Sequence, residues 1–182
     1  MKKSKILLLL FVLAFSACGT EIQITDIHVA LGEDCLLLSL TIPNTLVRDL
    51  RKTIENGAKV THTYLIGFYK VRGFWWDERI TRVQVRHDMA YDNLKQVYLV
   101  ARSEVSNRTV SLKDFADAEK LMSEIVDLRI AELHEMIKGR RYRLRIAAEL
   151  ERERPSSLLD DVISFLPSER LRSGSCTLTF RY

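Results

Sequence analysis

The sequence predicts a mainly β domain: an antiparallel β-sandwich, immunoglobulin-like in type, with two or three short helices. Three observations carry this. Apolar residues recur at every second position in most segments beyond residue 21, the mark of half-buried strands. Short turn or helix signals join them, not the regular long helices that parallel pairing needs. Gly139-x-x-Tyr142-x-Leu144-x-Ile146 matches the turn-and-strand entry common in immunoglobulin-like sandwiches.

Along the chain, Ile22 and Ile24, extending to His28 and Ala30, alternate with Gln23, Thr25 and Asp26 as a first strand. Cys35 to Ile42 is a second, apolar enough to be buried on both faces. Asn44 caps a helix over Thr45 to Glu55, and Asn56-Gly57 stops it with a glycine just past its end. Val60 to Val71 is a long strand. In the next, Val83, Val85, His87 and Met89 face one way and Arg82, Gln84, Arg86 and Asp88 the other. Val97 to Ala101 follows a turn at Tyr91-Asp92-Asn93. Asp114 to about Val126 carries Phe115, Ala118, Met122 and Ile125 at helical spacing, and Leu128 to Met136 fits either a strand or a continued helix. The clearest strand sets Tyr142, Leu144, Ile146, Ala148 and Leu150 against Arg141, Arg143, Arg145, Ala147 and Glu149. Ser156-Ser157 starts a short helix over Leu158 to Phe165, ended by Pro167, with Asp160 and Asp161 suited to the positive end of its dipole. Ser173-Gly174 turns the chain into a last strand, Cys176 to Phe180.

The first eighteen residues, MKKSKILLLLFVLAFSAC, read as a leader. Lys2, Lys3 and Lys5 form its basic start, Ile6 to Phe15 its apolar run, and Ser16-Ala17 its small exit residues. About ten apolar residues cover roughly 15 Å as a helix, half a bilayer core, which is too short to span. Phe15 is too bulky for the −3 position of ordinary signal cleavage. The pattern resembles the lipobox of bacterial lipoproteins, whose obligatory cysteine is Cys18. The expected division is therefore a lipoprotein signal peptide over 1–17 and a single mainly β domain over 18–182. Acyl chains on Cys18, each stabilised by about 0.8 kcal/mol per buried methylene, make the membrane a partner. The expected location is the periplasmic face of the cell envelope. With Gly19 rather than Asp after the cysteine, the outer membrane is favoured over the inner in a Gram-negative cell.

The leader also corrects the charge. The chain has 28 basic and 24 acidic residues, net +4. Without Lys2, Lys3 and Lys5 the count is 25 against 24, so the charge gives no case for a nucleic-acid partner. Cys35 and Cys176 remain, a disulfide candidate in an oxidising compartment; two buried thiols packing as small apolar groups is the simpler alternative. Neither the cysteines nor His28, His62, His87 and His134 have metal-ligand spacing, and no cofactor motif is present.

Two surfaces are candidates for binding. Trp75-Trp76-Asp77 offers an aromatic platform for glycan or peptide, although an extended segment would put one indole in the core and the other over an edge. Arg141, Arg143 and Arg145, joined by Arg82 and Arg86, form a guanidinium ladder suited to anionic lipid or polymer. A merely solvated outer face explains them more simply, because Glu149, Glu151 and Glu153 follow. His87 and Asp88 point apart on a strand, and His87 shares its face with Val83, Val85 and Met89 as a satisfied core histidine would. No G-x-S-x-G, H-E-x-x-H, phosphate-binding loop or C-x-x-C occurs, so a non-catalytic envelope module is the expectation. The alternative, a small hydrolase of a periplasmic polymer, requires His62 or His87 to converge with carboxylates at about 3 Å.

Phe74-Trp75-Trp76-Asp77 and Tyr91-Asp92-x-Leu94-x-x-x-Tyr98, with Glu55-Asn56-Gly57 before them and Gly139-Arg140-Arg141-Tyr142 after, resemble the bacterial domain-of-unknown-function 4390 family. The likeness runs from about Glu21 to Tyr182. It implies a small exported protein and carries over no catalytic residue. The last strand departs from the Trp-rich ending of related sequences.

Overall fold

A computed structural model of the protein describes residues 24–42, 50–105, 108–153, 170–172 and 175–182. Cys18, Asn44, Leu158–Phe165 with its flanking signals, and Ser173-Gly174 lie outside these residues. Alternating apolar positions produce ten strands: β1 (Thr25–Leu31), β2 (Cys35–Thr41), β3 (Lys59–Lys70), β4 (Glu78–Asp92), β5 (Val97–Arg102), β6 (Thr109–Leu112), β7 (Glu124–Glu132), β8 (Arg141–Glu153), β9 (Arg170–Arg172) and β10 (Cys176–Arg181). Among the described residues the α-helices are α1 (Leu50–Glu55) and α2 (Phe115–Ser123).

All pairing is antiparallel, in a three-stranded sheet β1-β2-β7 and a seven-stranded one ordered β10-β8-β3-β4-β5-β6, with β9 also on β8. The inner face of the large sheet carries Val60, Tyr64, Ile66 and Phe68 of β3, Val85 and Met89 of β4, and Tyr142, Leu144 and Ile146 of β8, each no more than 1% exposed. It packs on Leu36, Leu38, Leu40 and Ile125 of the small sheet in one core with both helices. The sandwich of the sequence reading is present; its strands divide three and seven, where immunoglobulin domains divide four and three. At the entry to β8, Gly139 turns at φ +78°, and the Ile137 N–H donates to the Tyr142 hydroxyl at 2.7 Å.

Two element boundaries differ from the sequence reading. Gly57, at φ +90°, does stop α1, its N–H donating to the Ile54 carbonyl at 2.9 Å. Asp114 caps α2 by accepting from the Ala116 N–H, but the helix ends at Ser123, and Glu124 to Glu132 is the strand β7. Ile125 keeps helical spacing yet serves better as a strand residue opposite Leu40. The ambiguous Leu128–Met136 segment is strand through Glu132 and a 3-10 turn over Leu133–Glu135.

Candidate functional site

The hairpin joining β3 to β4 carries the exposed aromatic cluster. Phe74, Trp75 and Trp76 are 100%, 79% and 92% exposed. The expectation of one buried indole is overturned, because Val71–Asp77 is a loop between strands and the two-residue alternation does not operate there. The base of the loop is pinned on both sides. Arg72 and Lys70 reach the Glu78 carboxylate at 2.6 and 3.3 Å, and they hold its carboxyl below the usual range. Asp77 bonds to Arg143 and lies 3.8 Å from Arg145. The three rings are large apolar groups on a fixed base, exposed and outside the core.

The arginine ladder of β8 is divided by these contacts. Arg143 is half-buried and spent on Asp77, Arg141 is exposed opposite Arg181, and Arg145 sets its guanidinium 5.1 Å from the centre of the Tyr69 ring. Arg86, further along the sheet, is occupied by Asp88 at 3.0 Å and lies near Glu153. The outer face thus separates charge: Glu149, Glu151 and Glu153 stand toward one end of β8, and Arg141, Arg143 and Arg145 toward the hairpin loop.

A second cluster is internal. His62 and His87 are direct partners across β3 and β4, 4% and 0% exposed. The His87 Nδ1 lies 2.8 Å from the Met122 carbonyl and its Nε2 lies 2.8 Å from a Glu104 oxygen. Both partners are acceptors, so the contacts are satisfied together when both ring nitrogens carry protons. The Met122 carbonyl is in the last turn of α2, where helical partners run out, and it also accepts from the Tyr64 hydroxyl at 2.8 Å. Burial pushes the Glu104 carboxyl up, but bonds from His87 and Arg102 outweigh it and bring it down to about 2. This is the convergence of histidine and carboxylate that a hydrolase needs, yet both nitrogens are committed and the ring is sealed from solvent. Sequence reasoning placed His87 in the core and missed Glu104, which lies in the turn after β5 and belongs to no strand pattern.

Cys35 and Cys176 are both free. Cys35 opens β2 beside Leu36, which lines an apolar groove with Phe180 and Tyr182; Cys176 lies at the other end of β10. The disulfide that an oxidising compartment would allow between them is therefore not formed.

No curated protein and no solved structure matches the chain. A family model describing a domain of unknown function, DUF4390, matches residues 19–179. That span takes in both sheets, the aromatic hairpin loop and the buried histidine pair, so the chain belongs to the DUF4390 family.

Proposed function

We propose that this protein is a non-catalytic module of the cell envelope, anchored by lipid at Cys18, that docks a protein or glycan through Phe74, Trp75 and Trp76. The exposure of three successive aromatic side chains on a pinned loop carries this reading. Lipidation rests on the leader, which places acyl chains six residues before Ile24 at the start of the described domain. The hydrolase alternative rests on the His87–Glu104 contact alone, and there both imidazole nitrogens are committed and the ring is fully buried.

Trp75 and Trp76 are the only two tryptophans of the chain, so its indole emission reports on the loop alone. Emission from the full-length protein is expected to shift to the blue on adding either soluble peptidoglycan fragments or detergent-solubilised envelope proteins. A Trp75→Ala, Trp76→Ala variant should unfold within about 0.5 kcal/mol of the wild type, because neither ring is packed. An unmoved spectrum in both additions would overturn the docking role. For the anchor, Cys18→Ala is expected to remain uncleaved and to take up no palmitate analogue; undiminished labelling would refute lipidation at this residue.

A further inference from the structure

On the outer face of the large sheet, beside the aromatic loop, lies a concavity of about 280 Å³. Arg79 and Arg82 of β4 and Arg145 of β8 line it, with the Tyr69 ring as a wall and the strand backbone around Gly67 as part of its floor. Arg79 and Arg82 differ by three in sequence and would point to opposite faces of a regular strand. A bulge brings them together: Phe68 pairs with Thr81 but Tyr69 pairs with Arg79, so Ile80 is passed over and turns partly into the core.

Among the described residues, neither Arg79 nor Arg82 has a carboxylate within ion-pair distance. By contrast, Arg86 is held by Asp88 and Glu153, and Arg143 by Asp77. Arg145 is fixed by its ring contact with Tyr69 and by Asp77 at 3.8 Å. Tyr69 in turn lies over Gly67, where an added Cβ would come within 2.7 Å of the ring. Three guanidinium groups thus surround one hollow, and two of them have no carboxylate among the described residues to receive them.

We propose that this concavity binds a phosphate group. A dianionic tetrahedral oxyanion accepts from several guanidinium forks at once and answers the charge of both unpaired arginines, which a single carboxylate does not. The remaining volume beside the phosphate, walled by Tyr69, suits a sugar or glycerol carrying it. The proposal does not depend on the lipid anchor or on docking by the tryptophans.

The test is calorimetric titration of the full-length protein in detergent with inorganic phosphate, glucose 1-phosphate and glycerol 3-phosphate, against acetate at matched ionic strength. Saturable binding of the phosphates and none of acetate is expected, with Arg79→Gln or Arg82→Gln weakening it roughly tenfold. Arg86→Gln, on the same face but outside the hollow, should leave it unchanged. Gly67→Ala meets only the flexible end of Tyr69, so the fold should persist while the displaced ring weakens binding several-fold. Flotation with phosphatidylglycerol vesicles, compared with phosphatidylcholine vesicles that report the anchor alone, distinguishes sources: an excess on phosphatidylglycerol, displaced by glycerol 3-phosphate and lost in Arg82→Gln, assigns a lipid headgroup. Binding to the soluble phosphates with equal flotation on both vesicles assigns a phosphosugar. Equal binding of acetate and phosphate, or insensitivity to both arginine substitutions, would overturn the site.

Discussion

Replacing His87 with leucine is expected to destabilise the domain by about 3–5 kcal/mol, the cost of leaving the buried Glu104 carboxylate without its imidazole partner. In a domain of this size that corresponds to a fall of roughly 10 °C in Tm. Leucine fills comparable space, so little of the loss is cavity; it comes from the groups left behind. Glu104, its side chain 11% exposed, would keep only Arg102, and the Met122 carbonyl would keep only the Tyr64 hydroxyl. The junction where α2 passes directly into β7 would lose its tie to β4. Removing both members of the pair distinguishes this account from simple loss of packing: a His87→Leu, Glu104→Leu variant should be less damaged than the sum of the singles by about 1–3 kcal/mol. Urea denaturation of the four proteins measures it. A single variant within about 1 kcal/mol of the wild type would show that the imidazole contributes little to holding the junction.

The sign of the acid dependence at Glu104 follows from its direction. Its carboxyl is held down at about 2 in the fold against an ordinary 4.5, so its contribution is complete above 4.5 and is lost as pH falls toward 2. The same variants compared at pH 6 should therefore differ as they do at pH 7, as far as Glu104 is concerned.

The two-residue period is enough to find seven of the strands, and the inward face of β4 and β8, because burial against a flat layer leaves that alternation in the sequence. In β1 it sets His28 and Ala30 on the face of Ile24, whereas a register shift after Thr25 turns Ile27 and Val29 to the core and leaves His28 and Ala30 exposed. β2 is fully buried on one face only, at Leu36, Leu38 and Leu40. The rule fails wherever the period stops. The short β6 has no fully buried position to mark it. The aromatic loop was read as extended and one indole assigned to the core, although no partner strand holds Trp75 or Trp76 in register. The arginine hollow depends on the bulge at Ile80, and an inserted residue reverses the face of all that precedes it without changing composition. Glu104 was invisible because its partner, His87, is seventeen positions away across a turn. The β8 ladder was correctly located, but its division into a spent Arg143 and a stacked Arg145 is set by Asp77 and Tyr69, on other elements.

His62 supplies the second large effect, and it is one of pH. Burial, and then the charge of His87 opposite, bring its imidazole down to about 4 from an ordinary 6.5. The folded protein therefore excludes a proton that the unfolded chain accepts below pH 6.5. Stability from this group is whole above that value and falls with pH until about 4, by a total of order 3 kcal/mol. The surroundings offer no relief: Leu150 stands opposite on β8, the Tyr64 ring lies edge-on at 6.0 Å, and Nδ1 has no hydrogen-bond partner. His62→Leu removes the titrating group and an unsatisfied buried nitrogen together. Its stability at pH 7 should equal or exceed that of the wild type. The gap between the two proteins should then widen steadily from pH 6.5 to 4.5, a range that ends where the held-down carboxylates begin to take up protons. Subtracting one denaturation series from the other isolates His62 from every group the two share. Parallel curves over that range would mean that the ring accepts its proton in the folded state, which requires water or an acceptor to reach Nδ1.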